Sequence, residues 1–468
     1  MCKCLQRALP VAILLLSACS FIPPLERPAA PVAAQWPETA KAEGKQSIEG
    51  LSWRQMLPDP RLQALIEAAL AHNRDLRIAV ARVEEARALL GISRADQLPT
   101  LNFSPTQTAA RTPGDLSASG KESINRRYEV SLGVTAFELD FWGRVKSLSA
   151  SAKASYLASE EAREAFRLGL IADVANAYLT LQELEERLAL ARASVETRRE
   201  SRFLVQKRRD VGLAGDLDFR AAEGAHEAAR AEVAHLERGR AQAENALALL
   251  VGQMPENLPA GRRLSEQGIV QDIAVTLPSA ALLARPDVRA AEQRLIAANA
   301  NIGVARAAFL PRIGISLAFG TASRTLSGLF DAGSTAWSFA PNLVQPLFDA
   351  GRTQANVDLA EARKAIAVAD YEKTLQQAFR EVADLLVDRD RLAEQLKAQE
   401  AAEAAQNERL RLVNARYKAG ASGYLEALEA QRDAFAASQG TLQVRRALLA
   451  SAAPLYKALG GGSYANFR

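Results

Sequence analysis

Gly91-Ile92-Ser93-Arg94-Ala95, followed by Leu98-Pro99, is a stretch that the chain writes twice. It returns 212 residues later as Gly303-Val304-Ala305-Arg306-Ala307, followed by Leu310-Pro311. Asp75-Leu76-Arg77 and Asp287-Val288-Arg289 match at the same shift. Further on, Gly143-Arg144 matches Gly351-Arg352 at a shift of 208. That second shift holds for Gly212 and Gly420, Gly215 and Gly423, Leu217 and Leu425, and Gly252 and Gly460. An offset kept over so long a span marks a tandem duplication.

Within each copy the same elements follow in the same order. A helical stretch comes first, over 60–97 and again over 286–309, with Asp59 placed to cap the first. It stops at Pro99 or Pro311, where the ring removes a donor and crowds the preceding turn. Two extended segments come next. In 312–322, Ile313, Ile315, Leu317 and Phe319 alternate with Gly314, Ser316, Ala318 and Gly320. In 128–136, Val130, Leu132 and Val134 alternate with Ser131, Gly133 and Thr135. Period two with small or polar partners predicts strands with one apolar face. Weaker strand patterns lie at 101–111 and 337–348, the latter interrupted by Pro341 and Pro346. After Gly143 the period changes. Leu170, Val174, Ala177, Leu181, Leu184, Leu188, Ala191 and Val195 step by four and three, a coiled-coil seam, and Leu375, Phe379, Val382 and Leu386 repeat it. Nothing breaks either helix before Gly212 or Gly420, which predicts rods of about 100 Å at 1.5 Å per residue. A short glycine turn, 212–215 or 420–423, then reverses the chain into a shorter helix ending at Gly252 or Gly460.

The rest of the chain frames these copies. Lys3 and Arg7, the apolar run 8–16 and Leu16-Ser17-Ala18-Cys19 read as a secretory signal over 1–18. The four-residue ending resembles a bacterial lipoprotein box, which implies acylation of Cys19; an ordinary signal with an incidental cysteine is the other reading. Ser20 in place of Asp implies, by the same resemblance, delivery to the outer membrane. Cys2 and Cys4 leave with the signal, so Cys19 is the one cysteine of the mature chain. Residues 19–58 begin as a proline-rich tether, 59–252 and 285–460 are the two repeats, 253–284 links them, and 461–468 is a tail. Charge is close to balance, 58 basic against 54 acidic residues, so no basic footprint points to nucleic acid. After the signal no stretch holds 18 consecutive apolar residues, so further membrane contact has to come from strands.

Four strands cannot close a barrel, and lipid does not tolerate open strand edges. Two chains supply eight strands, whose interior is filled by side chains. Three chains supply twelve and leave a lumen. Aromatics favour membrane placement: five fall in 99–143 and six in 309–351, out of 27 in the chain. A soluble α+β lipoprotein with a small sheet is the competing reading. The fold expected is mixed α and β, mostly α.

Several motifs carry a family resemblance. Phe137-Glu138-Leu139-Asp140-Phe141-Trp142-Gly143-Arg144, the opening set Trp53, Asp59-Pro60, Leu65-Ile66, Ala69-Leu70, Asn73 and Asp75-Leu76, and Arg285-Pro286-Asp287-Val288-Arg289 resemble those of TolC-like outer-membrane efflux proteins. So do Leu277-Pro278-Ser279, the run from Ala297 to Pro311 and the ending from Leu455 to Gly462. The resemblance is to the NodT-type lipoprotein branch serving resistance-nodulation-division pumps. It implies a homotrimer with a shared twelve-stranded barrel, four strands per chain, a helical periplasmic tunnel, and an equatorial belt from the linker and termini. It also implies a passive exit duct in the outer membrane, docked by a periplasmic adaptor and an inner-membrane pump. An acidic periplasmic gate falls by resemblance on Glu426 and Glu429, three apart and so on one helix face. Relatives more often carry Asp there. The first copy has Asp218 and Ala221 at the matching positions, so only the second carries the full pair. The bland reading is that acidic residues favour a helix start. The tips, with Gly212, Leu213, Gly215, Gly420, Ala421 and Gly423, are the expected adaptor contacts, unless their glycines only reverse the chain.

No enzyme chemistry stands out, and no cofactor beyond a covalent N-terminal lipid is expected. His72, His226 and His235 lack partners at metal-ligand spacing and read as solvated. Few methionines argue against a methionine-lined copper path. Gly114 to Gly120-Lys121 is spaced wrongly for a phosphate loop and has Glu122 where a hydroxyl is needed, so it reads as an exposed strand connection. Two rival functions remain open here: a duct for a secreted polypeptide, and a non-conducting coiled-coil scaffold.

Overall fold

The computed structural model describes residues 20–33, 36–37, 46–47, 51–118, 120–270, 273–274 and 279–461. The signal, Cys19 and the tail after residue 461 lie outside the described residues. The chain divides into two compact units.

The first unit takes in Met1–Ala29, Arg82–Ser159 and Ala290–Tyr371. Its centre is a four-stranded antiparallel sheet of β2 (Leu101–Thr112), β3 (Ser123–Glu138), β5 (Arg312–Ser323) and β6 (Thr335–Val344), in that spatial order. Both weaker segments therefore form strands, and the prolines within them, Pro105 and Pro341, sit on the two edge strands, where a missing N–H is tolerated. The strand β6 stops before Pro346 instead of running on to residue 348. A bulge between Val134 and Phe137 shifts the β3–β5 register, with Ala136 at φ 52° and its N–H donating to Ser316 Oγ at 3.0 Å. The tether is extended but not loose. Asn299 Nδ2, on α6 (Pro286–Ala307), donates to the Pro23 carbonyl at 2.8 Å, and Arg27 pairs with Glu292 of the same helix.

The second unit takes in Ala30–Ala81, Glu160–Arg289 and Glu372–Arg468. Two helices of 67 residues each supply most of its length, α4 (Arg144–Asp210) and α7 (Arg352–Lys418), through their residues 160–210 and 372–418. They return through α5 (Asp216–Val251) and α8 (Tyr424–Ala450), the latter continued by α9 (Ala452–Ala458). The break between α8 and α9 has no counterpart in α5, and Pro454 explains it: without an N–H it leaves the Ala450 carbonyl unpaired. The short helices α1 (Trp53–Met56), α2 (Pro60–His72) and α3 (Arg74–Ala95) precede the sheet in sequence. The expected single helix 60–97 is thus two, divided at Asn73. Its side chain accepts from the Leu76 N–H at 2.8 Å and so starts a new helix. Asp59 caps α2 as expected, accepting from the Arg61 N–H at 2.8 Å.

Burial in α4 exceeds a seam. Leu170, Val174, Leu181, Leu188 and Ala191 are buried as the periodicity predicts, but so are Leu168, Ile171, Ala175, Tyr178, Leu179 and Glu183. The linker explains part of this. Leu264, Gln267 and Ile269 are buried, the Leu264 N–H donates to Glu186 Oε1 at 2.6 Å, and β1 (Gln46–Ser47) pairs in parallel with β4 (Ile273–Ala274). Tyr178 and Asp59 are fully buried and joined by a hydroxyl-to-carboxylate bond of 2.7 Å. Burial, with the adjacent carboxylate, raises the Tyr178 pKa above its ordinary value. His226 corrects an expectation: it is buried, with Nδ1 3.1 Å from Glu227 Oε1, whereas His235 is exposed.

Candidate functional site

The sheet register sorts the strands into two faces. Leu101 pairs with Val134, Phe103 with Leu132 and Pro105 with Val130; Leu132 pairs with Phe319 and Val134 with Leu317; Phe319 pairs with Trp337 and Leu317 with Phe339. Directly paired residues share a face, so these positions form one continuous apolar and aromatic surface. Phe103, Phe319, Trp337 and Phe339 are all exposed in the single chain. The opposite face carries Ser104, Ser131, Gly133, Ala318, Gly320 and Ser338. Small residues are required there: a Cβ on Gly320 would collide with the Val130 carbonyl. An apolar face on one side and a small, polar face on the other is what a strand between lipid and water needs. The outer edges of β2 and β6 have no strand partner among the described residues.

The helical tips belong to the second unit. Gly212 and Gly420 hold φ values of 76° and 74°, the left-handed region that only glycine enters cheaply. The following N–H groups close the helix ends: Leu213 donates to the Arg208 carbonyl at 2.7 Å and Ala421 to the Arg416 carbonyl at 2.9 Å. Gly215 and Gly423 then stand at the N-caps of α5 and α8 with extended backbone. The two tips share a small core of Val205, Phe219, Ala222 and Tyr424, with Tyr417 and Ala221 packed against it. Arg208 lies over the Tyr417 ring at 4.8 Å and Arg209 over Phe219 at 4.1 Å. Burial pushes the Tyr424 pKa up to about 12, with neighbouring Tyr417 adding to it. The first tip is the more apolar one outside: Val211, Leu213 and Leu217 are 69%, 79% and 83% exposed.

The two acidic positions differ from their first-copy counterparts in setting. Ala221 packs against the tip core, whereas Glu429 is exposed. Glu426 is half-exposed, with Oε1 3.7 Å from Arg416 Nη1. That partner was missed in the sequence, although Arg416 occupies the position matching Arg208. Among the described residues no group of acidic, histidine and cysteine side chains is arranged to hold a metal, and no helix is long and apolar enough to cross a membrane.

Comparison with known proteins falls on the same plan. The family model described as outer membrane efflux protein matches the chain twice, at residues 65–253 and 277–461. The chain is 45% identical over 454 residues to the outer membrane protein OprJ of Pseudomonas aeruginosa, covering 96% of this chain and 94% of that protein. It is 42% identical over 464 residues to the solvent efflux pump outer membrane protein SrpC of Pseudomonas putida, covering 97% and 98%. Among solved structures, the open state of the Neisseria gonorrhoeae MtrE outer membrane channel superposes with a TM-score of 0.87 at 40% identity, covering 95% of this chain and 98% of that one.

Proposed function

The chain belongs to the outer membrane efflux protein family, and from that premise we propose that three copies assemble into one lipid-anchored exit duct. It is the outer-membrane channel of an efflux system, a conduit and not an enzyme. It works with an adaptor and an inner-membrane pump, which we assign to the resistance-nodulation-division type on the resemblance of its motifs. The observation that carries the trimer is the four-stranded sheet with two open edges and one apolar face. An open edge in lipid leaves a row of unpaired backbone groups, each costing several kcal/mol, so β2 and β6 have to be paired by neighbouring copies. Two copies leave a filled barrel and three leave a lumen. The long helices extend into the periplasm as the tunnel wall, and the covalent lipid on Cys19 holds the tether at the membrane. The lipid is auxiliary, because the barrel also anchors the chain.

Reconstitution of the purified full-length protein into planar lipid bilayers tests the duct. Discrete single-channel steps are expected, with cross-linking that stops at three chains. A preparation that cross-links only as monomer and gives no conductance overturns the reading and leaves the scaffold alternative. Intact-mass measurement of the same preparation should find Cys19 as the acylated first residue; an unmodified mature chain refutes the lipid.

A further inference from the structure

Adjacent arginines on β3 stand on opposite faces of the sheet. Arg126 follows the apolar series of Tyr128, Val130, Leu132 and Val134, whereas Arg127 follows Glu129, Ser131 and Gly133 on the small, polar face. On that polar face Arg127 is placed opposite Thr108, and Glu129 opposite Thr106 on one side and Ala322 on the other. Between these two residues and the helical end of the sheet, the positions on the same face down to Gly133 and Ala318 are Ser, Thr, Gly, Ala and Asn. One charged pair therefore stands out on an otherwise uncharged stretch of wall.

The pair is asymmetric. Arg127 Nε donates to Glu129 Oε2 at 2.9 Å, and the side chains are 60% and 27% exposed. The carboxylate is thus held back against the sheet while the guanidinium stands out. Arginine stays protonated at any relevant pH and offers five donors in a planar fork suited to carboxylate, sulfonate and phosphate oxygens. Height follows from the strand. Eleven residues separate Glu138, at the helical end, from Arg127, about 35 Å along the strand and about 25–30 Å along a tilted barrel axis. That is the height of a membrane-spanning apolar band, so Arg127 lies at the rim far from the helices.

We propose that Arg127 forms a cationic ring at the extracellular mouth of the duct, which draws in anionic groups and makes the exit favour anions over cations. This rests on the trimeric duct proposed above, which brings three guanidiniums around one lumen. Glu129 sets the strength of the ring by partly neutralising it. The solutes favoured at this point are those that carry a carboxylate, sulfonate or phosphate.

The test uses the full-length protein in planar bilayers across a potassium chloride gradient, reading the reversal potential. Arg127→Ala should lower the chloride-to-potassium permeability ratio by about threefold or more, and Glu129→Gln should raise it. Arg127→Lys should keep the wild-type sign, and Arg126→Ala, on the lipid-side face, should leave the ratio where it was. A membrane-impermeant sulfonated thiol reagent added on the extracellular side should change the conductance of Arg127→Cys and leave that of Arg126→Cys alone. Equal ratios for the wild type and Arg127→Ala overturn the inference while leaving the duct intact. A larger effect at Arg126 than at Arg127 overturns it as well. Absence of any wild-type conductance overturns the duct, and the ring with it.

Discussion

Two contacts at matching positions show how the duplicated plan is held. Asn73 Nδ2 donates to the Leu250 carbonyl at 2.8 Å, and Arg285 Nη1 donates to the Ala458 carbonyl at 2.9 Å. These pairs correspond under the two shifts of the repeat, 212 and 208. Each copy thus ties the residue before a leading helix to the last turn of its final helix, once with an amide and once with a cation. The cation brings more with it. Arg285 is 3% exposed and also binds Asp287 and Glu381, each at 2.7 Å, while Lys457 approaches Glu381 at 3.4 Å. Burial tends to raise the Asp287 pKa, but the hydrogen bonds and charge of Arg285 outweigh it and hold the pKa below the ordinary value. Removing the arginine leaves Asp287 without its cation and Glu381 with Lys457 alone; both carboxylates are about a third exposed, which softens the loss, so Arg285→Ala should cost about 2–3 kcal/mol, against about 1–2 kcal/mol for Asn73→Ala. Thermal unfolding midpoints in detergent check this, and equal shifts for the two variants refute it. A carboxylate with a depressed folded pKa stabilises above its unfolded pKa and loses that contribution as pH falls through the folded one. The stability gap between wild type and Asp287→Asn should therefore be full at neutral pH and close below about pH 4. A gap that persists in acid counts against the charge pairing.

At the scale of elements, both long helices run to 67 residues and begin and end at matching positions. Their limits were legible because glycine marks them. Gly143 and Gly351, Gly212 and Gly420, and Gly252 and Gly460 all hold positive φ, a conformation that costs other residues about 1–2 kcal/mol. The strands were legible from alternation, and the two weaker ones proved to be edges. The break at Asn73 rests on a local cap three residues long that the apolar period does not reveal, whereas the burial of the linker was less legible because it depends on neighbours distant in sequence. The tips carry a prediction of their own. Photo-crosslinking residues at Leu213 and Ala421 should capture a periplasmic adaptor in cells. Since the first tip exposes Val211, Leu213 and Leu217, capture at 213 should exceed capture at 421. Crosslinks arising only from barrel positions would contradict adaptor docking at the tips.

For the whole molecule, the departures from repeat symmetry separate the two copies. The first presents an apolar tip and places Ala221 against the shared core; the second presents Glu429 at the matching position, with Glu426 beside Arg416. If this pair forms the gate of the proposed trimer, six carboxylates surround its periplasmic opening, and mutual repulsion favours bound cations there. Replacing Glu426 and Glu429 together with alanine should raise single-channel conductance and weaken block by multivalent cations. Conductance and block equal to those of the unmodified channel would place the gate elsewhere. The proposed acidic gate and the proposed Arg127 ring have opposite charge, so these two sets of variants should move ion selectivity in opposite directions.

The sequence by itself determined the duplication, the order of helices and strands, the tip turns and the family. These follow from local physics: periodicity sets helix against strand, proline removes a donor, and glycine alone enters the left-handed region without strain. Only the tertiary structure decided which strands pair, in which register, and which buried groups meet. Alternation along the strand separates Arg126 from Arg127, and the sheet register adds the neighbours on each face, Ala109 opposite Arg126 and Thr108 opposite Arg127. His226 is buried on the three-and-four step of Phe219, Ala222, Ala229 and Leu236, a period the sequence does carry, whereas Arg285 meets Glu381 and Ala458 across 96 and 173 residues. Such contacts depend on chain closure over long separations, which leaves no periodic trace in either segment.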